Sequence, residues 1–250
     1  MTVRPKAWLV IGFLLVAPVV GWSQQVSLGP DAVGLRLSLE GENFTRAVNI
    51  FLLITALSLA PAFVMMMTSF TRIVVVLGFL RQALGTQQAP SAKIITSLAL
   101  FLTFFIMQPI WQEIYQESVV AFSQGEITEA EAFRRAEEPI KRFMISQTRE
   151  QSLLLFMDLV ALDTVSTDAE LPLQVVIPAF MVSELQTAFQ MGFLIYLPFL
   201  VIDAVVATFL MSMGMMMLPP MMISLPFKLL LFIMVDGWTL IVRAVVSSFA

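Results

Sequence analysis

The chain has no cysteine and no histidine. The first absence excludes disulfides, thiolate nucleophiles and Cys-ligated zinc; the second removes the commonest general base and metal ligand. Charge is scarce as well, at 13% of the 250 residues against about 25% in an average soluble protein. No Gly-Lys-Ser or Gly-Lys-Thr occurs, and the isolated glycines lack phosphate-cradling spacing, so neither a nucleotide nor any other cofactor is expected. With a net charge of -4 and no basic cluster beside interleaved aromatics, a nucleic-acid surface is not expected either. Ser212 and Ser224 have no base partner in a motif, which leaves an intramembrane hydrolase without its nucleophile. What the chain does have is apolar surface: 58% hydrophobic residues and a mean hydropathy of +0.88. It reads as a non-enzymatic membrane-class protein.

The N-terminus has the layout of a secretory signal over residues 1–23. Arg4 and Lys6 form a positive start, Trp8 to Val20 an apolar core, and Gly21-Trp22-Ser23 a cleavage site, so the mature chain is expected to begin at Gln24. Residues 24–45 then form a polar leader outside the cytoplasm. No charge falls between Arg46 and Arg72, and Ala47 to Met67 is long enough to cross a bilayer. Ile94 to Gln112 returns, giving a first hydrophobic helical pair over 46–112. Arg72, Arg81 and Lys93 lie on the connection between them with no acid, which by the positive-inside rule makes it cytoplasmic. Residues 113–170 carry twelve acids against five bases and read as an extracytoplasmic helical insertion. Thr128 with Glu131 and Thr148 with Gln151 each fit a capping box at a helix start. Phe133, Ala136, Ile140 and Met144 share one stripe of the intervening helix. Asp158, Asp163, Asp168 and Glu170 lack the alternating loop and the Gly of a calcium hand, and no metal is expected there.

Residues 171–250 hold five charges: Glu184, Asp203, Lys228, Asp236 and Arg243. A charge at membrane depth costs roughly 2.5 to 3.5 kcal/mol on insertion scales unless it faces protein or water and has a partner. Lys228 is therefore expected to pair with Glu184, Asp203 or Asp236, within the chain or across subunits. Pro178, Pro198, Pro219, Pro220 and Pro226 are expected as helix breaks or kinks. The predicted fold is all-α: kinked membrane-type hairpins with a helical extracytoplasmic insertion, packed in an oligomeric ring or helical assembly. Seven of the twelve residues from Met211 to Met222 are methionine, around Gly214 and Pro219-Pro220. Methionine is unbranched and soft, and a broken helix at membrane depth is tolerated where it faces protein or a water-filled path, so this run reads as a deformable constriction in a channel. An ion or small-molecule transporter that couples through Asp203 and Asp236 is the alternative. Pro61-Ala62-Phe63 recurs as Pro178-Ala179-Phe180, too short an echo to establish a duplication.

The ordered blocks Pro178 to Phe189, Leu197 to Asp203, Gly214 to Pro220, Leu225 to Lys228 and Val235 to Trp238 resemble the FliP family of flagellar biosynthetic proteins. The resemblance implies the export gate of the flagellar type III secretion system, related to that of injectisomes. It implies about five copies of this subunit assembled with FliQ- and FliR-type membrane subunits into a closed helical pore. Other export-apparatus components and unfolded flagellar export substrates are the remaining implied partners. That complex would sit in the flagellar basal body at the bacterial inner membrane, largely above the bilayer plane, with an extracytoplasmic portion. By the same resemblance Met215, Met216 and Met217 form the gasket that closes the pore, and Glu184 and Lys228 match charged positions at subunit contacts.

Overall fold

The computed structural model describes residues 41–86, 89–161, 171–215 and 218–249. The signal segment and most of the polar leader lie outside the described residues. The chain divides between Leu53 and Ile54 into two units; of the first, the described part is 41–53, the opening of helix α1 (Gly41–Met66). The second unit holds the remainder of α1 and seven further helices: α2 (Phe70–Ala83), α3 (Ala92–Ile114), α4 (Glu129–Gln147), α5 (Glu150–Leu159), α6 (Leu173–Ser212), α7 (Pro220–Met234) and α8 (Gly237–Ser247). No strand occurs among the described residues, and the all-α class expected from the sequence holds.

Among the described residues, three helices are long and apolar enough to cross a membrane: Arg46–Met66, Ala92–Ser123 and Leu173–Ser212. The second extends α3 through a π-helical stretch, Tyr115–Val120, into Ala121–Ser123. The bent pair α7 and α8 together makes a fourth such segment, with 66° between its halves.

The connection between the first two apolar segments is largely helical, and its helix α2 is closely enclosed. In α2, Ile73, Val76, Leu77 and Leu80 are all fully buried. Their spacing is that of a single helical face, and this face packs most extensively on α6, with α3 on its flank. Ala99 of α3, Ala188 and Phe199 of α6, Phe232 of α7 and Ile241 and Val245 of α8 complete the core. Arg72, which the sequence places among the charges of that connection, is itself buried within this core. A second cluster joins Met144 of α4 to Leu171, Val176 and Phe180 around the start of α6. Of the stripe expected on α4, Met144 is buried and Ile140 packs beside it, while Phe133 is exposed.

The two capping boxes part company. Thr128 Oγ1 accepts from the Glu131 N–H at 3.4 Å and starts α4. Thr148 instead donates its hydroxyl to the Met144 carbonyl at 2.6 Å and closes α4, so α5 starts one residue later with Arg149 as its cap.

The prolines also act differently from one another. α6 runs unbroken through Pro178 and Pro198, and α7 through Pro226. Each removes one N–H from the ladder, yet 40 residues of almost continuous apolar sequence leave the backbone no cheaper state than helix. Of the five expected as breaks, Pro219 and Pro220 alone mark a boundary, as the cap and first residue of α7, where a missing N–H costs nothing.

Candidate functional site: a methionine turn on two buried charged centres

α6 and α7 form an antiparallel hairpin whose tip is the methionine-rich turn. α6 ends through Gly214, whose φ of +75° provides the left-handed step that closes a helix. The Gly214 N–H donates to the Met211 carbonyl at 3.1 Å and the Met215 N–H to the Leu210 carbonyl at 3.0 Å, satisfying carbonyls that the helix end would orphan. Met211, Met213, Met215, Met221 and Met222 are all exposed. Met216 and Met217 lie outside the described residues.

The hairpin is held by a charged centre below that tip. Lys228 of α7, 2% exposed, donates through Nζ to Asp203 Oδ2 at 2.6 Å and to the Ala83 carbonyl at 3.1 Å. Ala83 sits in the last turn of α2, where free carbonyls carry the negative end of the helix dipole, so the ammonium satisfies that end as well. Buried Ser224 donates to the other oxygen of Asp203, Oδ1, at 2.5 Å. One helical turn further from the tip, Phe199 and Phe232 meet with ring centroids 6.4 Å apart. Both pairs straddle the turn symmetrically in sequence. Ten residues separate Asp203 from the cap of α6, which sets the clamp about 15 Å from the tip.

A second centre ties α6 to α2 and to the C-terminal end of α8. Arg72 Nε donates to Glu184 Oε2 at 3.0 Å while Nη2 pairs with Oε1 of the same carboxylate. Nη1 donates to the Ser248 carbonyl at 2.8 Å and its hydroxyl at 3.0 Å, and Nη2 reaches Gln147 Oε1 at 3.2 Å. The Phe249 ring lies 3.8 Å from the guanidinium carbon, a cation–π contact. Glu184 is fully buried and Arg72 2% exposed, so both charges are out of water and each has its partner in bidentate geometry. Beside them the α4–α5 corner is stitched to α6. The Arg149 N–H donates to Ser183 Oγ at 2.9 Å and its guanidinium to Thr187 and Gln190.

Of the three carboxylates left open as partners for Lys228, the structure brings Asp203 to it and sends Glu184 to Arg72. Asp236 joins neither centre. It is exposed at the bend between α7 and α8, in a left-handed conformation at φ 49° that sets the turn. The following Gly237 is obligatory there, since a Cβ would stand 2.2 Å from the Phe232 ring. Among the described residues no group of three acids gathers to hold a metal ion. Asp158 is described, whereas Asp163, Asp168 and Glu170 lie outside. On the exposed face of α4, hydrogen bonds from Arg134 and Arg135 hold the Glu131 carboxyl below its ordinary pKa. The Glu113 carboxylate likewise raises the pKa of Arg142.

The FliP family model matches residues 53–245, a stretch that contains the turn, Arg72, Glu184, Asp203, Ser224 and Lys228. The chain belongs to the FliP family. Among its relatives, the flagellar biosynthetic protein FliP of Bacillus subtilis (strain 168) is 52% identical over 219 residues, covering 88% of this chain and 99% of its own. That of Pectobacterium carotovorum subsp. carotovorum is 47% identical over 241 residues, 96% of this chain and 92% of its own. That of Aquifex aeolicus (strain VF5) is 47% identical over 217 residues, 86% and 91% respectively. Within the FliP-family segment, sequence reasoning missed Arg72 and Ser224. Arg72 carried a signal, because it abuts the 73, 76, 77, 80 apolar face and thus stands at the edge of a core stripe. Ser224 carried none. Ser248 and Phe249, which complete the Arg72 centre, lie just beyond the matched segment.

Proposed function

We propose that this protein is a core subunit of the flagellar type III protein export gate, a membrane component whose copies, about five, form the closed pore through which unfolded flagellar subunits pass. FliQ- and FliR-type subunits are its proposed membrane partners, in the basal body of the inner membrane with a portion on the periplasmic side. The signal over 1–23, the leader over 24–45, the helical pair over 46–112, the insertion over 113–170 and the gate segment over 171–250 are the proposed working divisions of the chain. The observation that carries this reading is the match of the FliP family to a segment holding the ion pairs of both charged centres and the methionine turn. Two physical features support it. The 40 residues of α6 make a helix about 60 Å long, roughly twice the hydrocarbon thickness, which suits a body projecting from the bilayer. Large apolar side chains such as Phe104 and Phe105 of α3 and Phe193, Val201 and Phe209 of α6 are exposed on the single chain, as in a subunit of a larger assembly.

In this mechanism the protein performs no bond chemistry. The two charged centres fix the stem of the α6–α7 hairpin, while Met215, Met216 and Met217 at its tip meet their counterparts from neighbouring copies and exclude ions. Flexible thioethers repack around any passing sequence, and an apolar constriction closes by shedding water. Both oxygens of Asp203 are engaged by Lys228 and Ser224, so nothing favours that carboxylate as a coupling group for a transported ion. Ion conductance of membranes holding the assembled complex tests the gate. Substitution of Met215, Met216 and Met217 by Ala should give a standing leak with assembly intact, and a membrane that stays tight would place the constriction elsewhere.

A further inference from the structure

We infer that a groove along α8 is a binding site for an anionic phospholipid, with the headgroup phosphate on Arg243 and an acyl chain laid against Trp238, Val242 and Val246. This site stands apart from the gate reading above. Gly237, Ile241 and Val245 recur every four residues and form the buried face of α8, and the last two pack into the core. Beside that face runs an open groove of about 430 Å³, lined by Trp238, Thr239, Val242, Arg243 and Val246. Its size falls within the range of small-molecule sites, about 300–1,000 Å³. Trp238, Val242 and Val246 make one ridge at four-residue spacing, and Thr239 and Arg243 the next. The Trp238 indole meets the buried Phe232 ring edge-on with centroids 5.4 Å apart, so this wall is in place before a ligand arrives.

Charge selects the occupant. Arg243 is exposed, and among the described residues neither its guanidinium nor the Thr239 hydroxyl one turn before it has a hydrogen-bonding or ionic partner. Arg72 and Lys228, by contrast, are paired within the chain. Asp236, the acid nearest in sequence, caps the start of α8, seven residues and about 10 Å back along the helix. α7 and α8 together make a bent segment apolar enough to cross a membrane, where an ionised side chain is costly unless it reaches a partner or the interface. The anion at hand beside such a segment is the phosphate of a phospholipid. A guanidinium takes phosphate in bidentate geometry, and Thr239 adds a hydroxyl on the same ridge. A lipid of net negative charge is favoured over a zwitterionic one, whose own ammonium already offsets its phosphate. One cation in the groove matches one phosphate, as in phosphatidylglycerol. Phe104, Phe105, Phe193, Val201 and Phe209, the exposed side chains suited to packing between copies, lie on α3 and α6, so burying them does not require covering α8.

The test uses the assembled complex in phosphatidylcholine vesicles that carry a trace of photoreactive lipid, either phosphatidylglycerol or phosphatidylcholine with a diazirine on one acyl chain. After illumination, peptide mass spectrometry compares adducts on residues 238–246 with those on the exposed apolar run of α1, which serves as the unselective reference. Relative to α1, phosphatidylglycerol should label residues 238–246 about tenfold more than phosphatidylcholine does, a ratio that one charge-assisted contact supplies. Arg243→Leu should bring the two lipids level, while Arg243→Lys, which keeps the charge, should retain most of the preference. Unlabelled phosphatidylglycerol should compete, and inorganic phosphate at the same concentration should not, since the Trp238 ridge adds affinity only for a lipid. Equal labelling by the two lipids, or a preference that survives Arg243→Leu, would overturn the inference. Phosphate that competes as well as the lipid would overturn it too, reducing the site to an anion contact. So would a labelled α1 beside unlabelled residues 238–246, because a protein surface would then cover the groove.

Discussion

Replacing Arg72 by Met should be among the most damaging single changes in the chain. The substitution keeps the length and apolar stem of the side chain but removes the guanidinium, leaving Glu184 at 0% exposure with no cation. It also strips the bonds to Ser248 and Gln147 and the stacking on Phe249. Breaking one side of a buried ion pair costs about 3–5 kcal/mol, because the surviving charge is stranded in a medium that cannot solvate it. Glu184→Leu should cost about as much by the mirror argument, now stranding the guanidinium. The combined Arg72→Met, Glu184→Leu chain strands neither charge and should be less destabilised than either single variant, since apolar replacement of a whole buried pair is often close to neutral. Thermal unfolding of the detergent-solubilised protein, with motility as a second readout, measures all three. Additivity, with the double variant losing the sum of the singles, would refute the pairing. So would a loss below about 1 kcal/mol for Arg72→Met, the range of an exposed salt bridge.

Three further outcomes follow from single contacts. Ser224→Ala removes a short hydroxyl bond to Asp203 and should cost about 1.5–3 kcal/mol, the range for bonds to a charged group; Ser224→Thr should recover part of it in the same melting experiment. Gly192→Ala places a methyl 2.5 Å from the Phe79 ring, where α2 and α6 cross, so an overpacking cost of about 1–3 kcal/mol should exceed the gain of about 1 kcal/mol in helix propensity. Phe79→Leu in the same chain should reverse the sign, and failure to do so would count against the close crossing. The Glu131 carboxyl, held below its ordinary value by Arg134 and Arg135, contributes stability that is complete above the unfolded glutamate value and is lost as pH falls through the lower folded value. Melting curves from pH 7 to pH 3 should therefore be flatter for Glu131→Gln, and high salt should shrink the difference because all three groups face solvent.

The helical class and the C-terminal hairpin were legible in the sequence because apolar runs of this length leave little choice, and the break at Gly214 and Pro219-Pro220 is written in residues that close one helix and open the next. Thr128 with Glu131 was legible for the same local reason. Arg72 was not, since the positive-inside rule reads Arg72, Arg81 and Lys93 alike as charges of a connection, and only the enclosed face of α2 shows that Arg72 is buried. Pro178 and Pro198 misled because proline's local cost is fixed, whereas the alternative to helix inside an apolar chain is worse. The partner of Lys228 was undecidable in advance. Three carboxylates were within plausible reach, and the choice among them is made by helix register, a tertiary quantity.

Register is what the buried charges supply. α6 is apolar nearly all round, so sliding it along α2 or α7 by a turn exchanges one greasy contact for another at little cost in buried area. The same slide, about 5.4 Å, would pull Lys228 off Asp203 and Glu184 off Arg72 and leave buried Arg72, Glu184 and Lys228 and half-buried Asp203 without partners. Each pair adds little net stability over an apolar replacement and a large penalty to every wrong alignment. A chain with Arg72→Met, Glu184→Leu, Asp203→Leu and Lys228→Met should therefore fold and lose its unique hairpin alignment. Because the native sequence has no cysteine, a Phe199→Cys, Phe232→Cys pair bridged by a bifunctional thiol reagent reports alignment, as those rings lie 6.4 Å apart between centroids. Cross-linking should be near complete in the native background and should fall in the apolar one, with methionine positions at the tip becoming heterogeneous. Equal cross-linking in both would mean that shape, not charge, aligns the gate.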